Sequence, residues 1–321
     1  MNTLNNKIYN IGLDLGGTNS VFGIVDAEGK IVCKTSVKTQ EYTSAEAFVE
    51  AAVDALSLII NKVGGIQTIK SMGIGAPNGN IITGCIEFAP NIAWAHEGKV
   101  PLVKMFEEKL GIPVAMTNDA NAAAVGEKAF GVAKDMNDFI VITLGTGVGS
   151  GIFCNGKLVY GADGNAGELG HLTIRRGGRL CGCGKKGCLE TYCSATGIAR
   201  SAKEKMHKDL TSYDVAQAAE NGDATAKEIF NETGRMLGEA CAEMMLFSSP
   251  EAFIFFGGLA NAGELLFAPI REAFEESVMP CFNGKAKFLQ SALQGGDAAI
   301  LGAAMLVHSS ELKRRWIIQK T

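Results

Sequence analysis

The sequence has few of the features that mark membrane-bound, secreted or nucleic-acid-binding proteins. No stretch approaches the roughly 18 uninterrupted apolar residues that a membrane span needs. No long basic run accompanies the net charge of −4, so nucleic acid is not expected as a partner. The opening segment 1–10 is polar and does not fit a signal peptide.

Disulfide frameworks and linkers are also missing. The chain has nine cysteines, an odd number, and most stand in apolar segments. This usage indicates a reducing, cytoplasmic compartment. With only seven prolines among 321 residues, no Pro/Ser-rich linker divides the chain, although its length allows two domains.

Two common nucleotide-binding motifs do not account for the glycines. The Walker A pattern is absent. The one literal G-x-G-x-x-G, Gly182–Gly187, lies inside a cysteine cluster rather than after a strand. Neither a P-loop nor a dinucleotide fingerprint is therefore predicted.

The chain does contain one device, a glycine-rich turn between short strands, that occurs twice in the sequence. Ile11–Val32 and Val141–Tyr160 each read strand, glycine-rich turn, strand, turn, strand. Free backbone N–H groups in such a turn can hold an anion. An ordinary hairpin corner is the alternative for either turn alone, but the repetition favours a polyphosphate bound by two related domains.

The elements around these devices alternate between strand and helix, which predicts an α/β class. The pattern predicts a helix over Ser44–Lys62, capped by Ser44, and strands at Ile69–Ile74 and Ala252–Phe256. A further helix follows the Gly257-Gly258 pair, whose position after a strand suits ligand approach or is a plain turn. The domain boundary, near residue 117, is inferred from the repeat alone.

The first glycine turn is preceded by an acid. Glycines 16 and 17 allow the backbone to approach phosphate, and Thr18 can donate its hydroxyl. Asp14, at the strand end, could hold Mg²⁺ through water, or could simply cap the turn.

Asp119 is the candidate general base. It follows a short strand and opens a helix, beside Asn118 and Asn121. A carboxylate that accepts a hydroxyl proton is what phosphoryl transfer requires. From this segment alone, a helix N-cap is the favoured interpretation.

A cysteine-rich loop predicts a metal. His171, Cys181, Cys183 and Cys188 lie within a short glycine-rich segment, and three thiolates with one imidazole are a common Zn²⁺ set. Reduced, unliganded cysteines are the alternative. Glu168 and Glu190 flank the set and could face a polyol or solvent.

Together these segments resemble the sugar-kinase branch of the repressor, open reading frame, kinase family. The resemblance covers about residues 11 to 306 and rests on Asp14–Thr18, Asn118-Asp119, Gly145–Gly147, Glu168 to His171 and the three cysteines. It implies two actin-like (ribonuclease H-like) ATPase domains around a central cleft, as in the actin and hexokinase superfamily. The expected domains are 1–117, completed by a C-terminal helix at about 297–321, and 118–296, carrying the zinc-binding sugar loop.

The resemblance also implies a role for each matching residue. Asp119 becomes the general base rather than a cap. The groups expected at ATP and Mg²⁺ are Asp14, Gly16, Gly17, Thr18, Gly145, Thr146, Gly147, Gly257 and Gly258. The groups expected at the sugar are Asn91, Asn118, Asp119, Glu168, His171 and Glu190, with His171 also binding the structural zinc together with Cys181, Cys183 and Cys188.

The implied activity is ATP-dependent phosphorylation of a hexose 6-hydroxyl, with glucose as substrate. An N-acetylhexosamine or fructose kinase and a non-catalytic sugar-sensing regulator are the alternatives. Because only 13 residues precede Asp14, a repressor's DNA-binding module is not expected. Asn78, where many members carry glycine, and Ile92-Ala93, where Leu-Pro is commoner, depart from the family pattern. A dimer or tetramer is expected.

Overall fold

The computed structural model describes residues 7–293 and 297–308. Its helices are α1 (Ala45–Lys62), α2 (Leu102–Leu110), α3 (Asp119–Phe130), α4 (Glu190–Cys193), α5 (Ala195–Met206), α6 (Ser212–Glu220), α7 (Ala224–Ser248), α8 (Glu264–Ser277) and α9 (Asp297–Met305). Its strands are β1 (Tyr9–Leu15), β2 (Ser20–Val25), β3 (Ile31–Val37), β4 (Ile69–Gly75), β5 (Ile86–Glu87), β6 (Lys99–Val100), β7 (Val114–Thr117), β8 (Phe139–Leu144), β9 (Val148–Cys154), β10 (Lys157–Leu158), β11 (Ala252–Phe256) and β12 (Lys287–Gln290).

The described residues divide into two compact units. The first comprises residues 7–134, 160–166 and 297–308, and the second comprises residues 135–159 and 167–293. Residues 118–134, which the sequence analysis assigned to the second domain, belong to the first unit. The tail 309–321 of the expected C-terminal helix lies outside the described residues.

A five-stranded sheet forms the centre of the first unit, in the order β3-β2-β1-β4-β7. The first three strands are antiparallel neighbours, whereas β1, β4 and β7 run parallel. Buried side chains of β1, β2 and β4 pack with the apolar face of α1 to form its core. The carboxyl ends of the three parallel strands therefore meet at one edge of the sheet.

Glycines bring α9 directly onto this sheet. A Cβ on Gly12 of β1 would lie 1.9 Å from the Ile300 oxygen, and one on Gly73 of β4 would lie 1.7 Å from the Ala303 oxygen. Gly302 in turn lies against the Ala122 oxygen of α3. Because any side chain at these positions would collide with backbone, the close packing of α9 requires glycine.

The second unit repeats this sheet order. Its strands follow β10-β9-β8-β11-β12, with β8, β9 and β10 antiparallel and β8, β11 and β12 parallel. Its core lies between this sheet and the helices α5 to α8. The duplicated device that the sequence predicts is therefore a duplicated sheet topology.

The predicted elements agree with the structure where local signals are strong. Helix α1 begins after Ser44, whose side chain accepts the Ala47 N–H, and ends at Lys62, as predicted. The helix expected after Gly257-Gly258 is α8, for which the sequence offered no bounds. Its N-cap is Gly263, without a side-chain hydrogen bond, and Pro269 lies inside it. Both features conceal a helix from sequence patterns.

Among the described residues, none of the helices combines the length and the apolar character required for a membrane crossing.

Candidate active site and metal centre

Two carboxylates lie at the carboxyl-end edge of the first sheet. Asp14 is the penultimate residue of β1 and pairs with Gly75 at the end of β4. The pKa of Asp14 is raised to about 6, chiefly by burial and secondarily by the negative charge of the Asp119 carboxylate. The carboxylate of Asp119 is therefore near enough to disfavour the ionisation of Asp14.

The β1–β2 turn forms the glycine corner of the first unit. The Gly16 N–H donates to the Asn19 oxygen at 3.0 Å and closes the turn. A Cβ on Gly17 would lie 2.3 Å from the backbone oxygen of Asn91, so the turn lies directly against the segment that carries Asn91. Thr18 is exposed, which leaves its hydroxyl open to a ligand.

Asn118, not Asp119, caps helix α3. The Asn118 carboxamide oxygen accepts the Asn121 N–H at 2.7 Å, and Asp119 is the first residue of the helix. The interpretation of Asp119 as an N-cap is therefore wrong, because the neighbouring asparagine already satisfies that position.

The Asp119 carboxyl combines solvent access with a raised pKa. Solvent reaches the side chain, yet protein surrounds it closely enough to raise its pKa, against the lowering effect of the Ala120 N–H at 2.8 Å. A reachable carboxyl whose pKa moves toward neutrality is suited to accept a proton.

The glycine corner of the second unit is fastened to α5. The turn Gly145–Gly147 joins β8 to β9, and the Gly145 N–H donates to the Gly147 oxygen at 3.0 Å. The Ala195 N–H donates to the Gly145 oxygen at 2.8 Å, and the Thr196 hydroxyl donates to the Thr146 oxygen at 2.7 Å. These two hydrogen bonds anchor the turn to the start of helix α5.

Glu190, the first residue of α4, lies between this corner and the cysteine loop. Its carboxylate accepts the Val148 N–H at 3.2 Å, and a Cβ on Gly147 would lie 2.2 Å from it. Its other oxygen is 3.5 Å from the Cys181 sulfur. Glu190 therefore connects the second glycine turn to the cysteine loop.

Gly257 is held against the end of β8. It has φ of 107°, and a Cβ there would lie 2.5 Å from the Leu144 oxygen, so glycine is required. Gly258 follows at the start of a short 3₁₀ turn and is exposed. The pair thus lies beside the strand that leads into Gly145–Gly147.

The predicted metal ligands converge. The ligand atoms of His171, Cys181, Cys183 and Cys188 all lie within 4.8 Å of one another. The Cys181 sulfur is 3.6 Å from His171 Nδ1, and the Cys183 and Cys188 sulfurs are 3.7 Å apart. Zn–S bonds of about 2.3 Å give a tetrahedral edge of about 3.8 Å, so this donor set fits Zn²⁺.

The two ring nitrogens of His171 face different groups. Nδ1 points to Cys181, while Nε2 lies 4.0 Å from a carboxylate oxygen of Glu168. The segment that carries Glu168 is held on β9, because the Ser150 hydroxyl donates to the Gly167 oxygen and Gly170 lies against the Val148 oxygen. His171 could therefore bind a metal on the side of Cys181 while its other ring nitrogen faces Glu168.

Arg179 is a structural residue that sequence reasoning missed. Its side chain is only 10% exposed and donates to the oxygens of Thr191 and Gly197, at 2.8 and 3.1 Å. It also lies 4.6 Å over the Tyr192 ring. It ties the cysteine loop to α4 and α5. An arginine in a glycine-rich loop usually indicates a solvated side chain, so no local signal identified it.

Comparison with known proteins identifies the family. The ROK family profile matches residues 10–310. The chain belongs to the ROK family. A glucokinase from Halalkalibacterium halodurans is 37% identical, over 94% of this chain and 95% of that protein. A xylose repressor from Bacillus spizizenii is 30% identical, over 93% of this chain and 77% of that protein.

The solved structures agree. A ROK family glucokinase from Streptomyces griseus, crystallised with glucose and AMPPNP, is 36% identical and matches with a TM-score of 0.77, covering 93% of this chain and 98% of that one. The predicted fold class of actin-like sugar kinases is therefore confirmed, as is the resemblance to the kinase branch of the ROK family. The sequence likeness to glucokinases also supports an enzyme.

Proposed function

We propose that this protein phosphorylates the 6-hydroxyl of a hexose with ATP, and that glucose is the hexose. The observation that carries the proposal is the Asp14 and Asp119 pair in a ROK chain that is 37% identical to a glucokinase. The pair supplies one carboxylate for a metal and one for a proton. The intact acids argue against a sensor without turnover.

Proton transfer falls to Asp119. Its carboxylate takes the proton of the attacking hydroxyl, and its raised pKa makes it a better acceptor than an ordinary aspartate near neutral pH. Asn91 and Asn118 in the first unit, and Glu168, His171 and Glu190 in the second, orient the sugar hydroxyls. Orientation of the reacting oxygen contributes much of the rate in such reactions.

Phosphate binding falls to the two glycine turns. Gly16, Gly17 and Thr18 and, from the second unit, Gly145, Thr146 and Gly147 offer N–H and hydroxyl donors to the ATP phosphates. Gly257 and Gly258 leave space for the adenosine. Asp14 would hold Mg²⁺, which supplies charge stabilisation to the transferring phosphoryl group.

Zinc has a structural role in this proposal. The ligands His171, Cys181, Cys183 and Cys188 would hold it, and the metal would fix the loop that presents Glu168 and Glu190. No proton or phosphoryl transfer passes through it. We further propose a cytoplasmic homo-oligomer, a dimer or tetramer.

The proposal is tested by ADP release from Mg-ATP with glucose, mannose, fructose, N-acetylglucosamine and N-acetylmannosamine. We expect the fastest turnover on glucose, and a loss of about 10²- to 10⁴-fold in Asp119→Asn. Asp54→Asn, an exposed aspartate on α1, is the matched control and should retain full activity.

Each other outcome has a distinct meaning. Faster turnover on another sugar retains the kinase and removes glucose. No turnover with any sugar, in protein that still binds ATP, contradicts the kinase and favours a regulator. Full activity in Asp119→Asn contradicts the assignment of the base.

A further inference from the structure

Asn78 has a left-handed backbone and a carboxamide nitrogen that makes two hydrogen bonds. It follows Gly75-Ala76-Pro77 and has φ of 52°, in the left-handed region. Its carboxamide nitrogen donates to two consecutive carbonyl oxygens, those of Glu87 and Phe88, both at 3.0 Å. The two amide hydrogens are thus committed to one short segment of chain.

That segment is the entry to the loop that carries Asn91. The Glu87 N–H donates back to the Asn78 oxygen at 3.1 Å, and the Phe88 N–H donates to Gly98 at 2.9 Å. Phe88 itself has φ of 52°. Two neighbouring left-handed residues, 78 and 88, therefore face each other across these hydrogen bonds.

The loop beyond this entry is compact. The Ala89 N–H donates to the Ala95 oxygen at 2.9 Å, and the Ile92 N–H donates to the Ala89 oxygen at 3.2 Å. These three residues are buried, whereas Asn91 between them is exposed and its backbone oxygen abuts Gly17. A shift of Glu87 and Phe88 would therefore move Asn91 relative to the β1–β2 turn that contains Gly17.

We propose that Asn78 is a positioning residue for the sugar, acting through the loop of residues 89–95 that carries Asn91. The inference rests on the proposed function, in which Asn91 contacts the hexose. Glycine at position 78 would adopt the same backbone without strain but could not make either hydrogen bond. The side chain therefore contributes what the backbone conformation alone does not need.

Other hydrogen bonds hold Glu87, so the bond from Asn78 to the Phe88 oxygen is the one that matters for the loop. The Glu87 carboxylate already accepts from the Thr83 hydroxyl and the Lys99 ammonium, both at 2.9 Å. The hydrogen bonds of its own side chain thus hold Glu87 in place. The carbonyl oxygen of Phe88, the last residue before the loop, accepts a hydrogen bond from the Asn78 carboxamide. Loss of the Asn78 carboxamide should therefore shift the loop of residues 89–95.

Asn78→Gly and Asn78→Asp test this role. Glycine keeps the left-handed backbone and removes both donors, and aspartate keeps the shape but places a carboxylate against two carbonyls. We expect the sugar KM to rise about threefold to thirtyfold in Asn78→Gly, and more in Asn78→Asp. The ATP KM and the thermal midpoint of Asn78→Gly should stay close to wild type.

Asn155→Gly is the matched control. Asn155 is exposed, has φ of 50° and lies in the β9–β10 turn of the second unit. The same substitution at the same backbone conformation should leave both KM values unchanged. Calorimetric titration of the hexose without ATP checks that the change in KM reflects sugar affinity.

The outcomes separate the inference from the function. Normal turnover with an unchanged sugar KM in both Asn78 variants would overturn the positioning role and leave Asn78 as a turn residue. An equal rise in the KM of ATP and sugar would overturn it as well, because that result indicates general distortion. No wild-type turnover on any hexose would contradict the proposed function, and the positioning role with it.

Discussion

The two units share one sheet order and place different chemistry on it. In both, an antiparallel hairpin carries a glycine corner, and two parallel strands follow. The first corner lies beside two carboxylates, Asp14 and Asp119. The second lies beside Glu190, whose carboxylate also contacts Cys181 of the histidine and cysteine cluster.

This difference indicates how a duplicated scaffold is specialised. The sheet fixes where each corner lies, while the segments inserted around it decide its function. In the first unit the neighbours of the corner are the Asn91 loop and the start of α3. In the second they are the cysteine loop and the starts of α4 and α5. Substitutions at matching places should therefore have unequal effects.

The largest expected effect is on the second unit alone. Cys183→Ser should abolish zinc binding and unfold the cysteine loop, because binding free energies of structural zinc sites are on the order of 10 kcal/mol. Metal analysis should find one zinc per wild-type chain and far less in the variant. The sugar affinity should be lost while ATP affinity persists.

Cys281→Ser is the control for the cysteine change, since Cys281 is exposed and lies outside the cluster. Wild-type protein free of zinc, or equal zinc in the two variants, would contradict the metal assignment. Restoring Mg²⁺ after treatment with a zinc chelator separates the loss of zinc from the loss of the ATP metal.

A smaller effect should distinguish the two glycine corners. Gly17→Ala brings a Cβ to 2.3 Å from a backbone oxygen, whereas a Cβ on Gly145 meets nothing within 4 Å. We expect Gly17→Ala to lower the free energy of unfolding by about 1–3 kcal/mol and Gly145→Ala to leave it nearly unchanged. Thermal unfolding without ligands measures both. Equal stability of the two variants would show that the Asn91 loop yields at no cost.

The last expected effect on stability has the opposite sign and is a gain. Because the folded pKa of Asp14, about 6, exceeds the ordinary 3.8, its ionisation costs stability as the pH rises through 6. Asp14→Asn should therefore stabilise the metal-free protein by about 1–3 kcal/mol at pH 7.5, with the difference vanishing below pH 4, and should remove activity.

Glu190→Gln offers the contrast in the second unit. It weakens a hydrogen bond from the Val148 N–H and should not stabilise the protein. Thermal midpoints across the pH range measure both variants. Lower stability of Asp14→Asn at pH 7.5 would show that the carboxylate is better accommodated than its raised pKa indicates.

Local chemistry made much of the site predictable. The glycine turns, the Ser44 cap and the cysteine and histidine spacing are each set by residues close in the chain, and the structure agrees with all three. The cap of α3 shows the limit. Asn118 and Asp119 are both good caps, so adjacent sequence could not decide which one the helix would use.

The sequence by itself determined the duplicated α/β plan, the two glycine corners and the cluster of one histidine and three cysteines, because periodicity, glycine and donor spacing act over short stretches of chain. Only the tertiary structure decided that Asn78 holds the entry to the Asn91 loop, that Gly17 abuts that loop, and that Glu190 connects a glycine turn to the cysteine loop. Those contacts join residues far apart in the chain, and no local pattern records them.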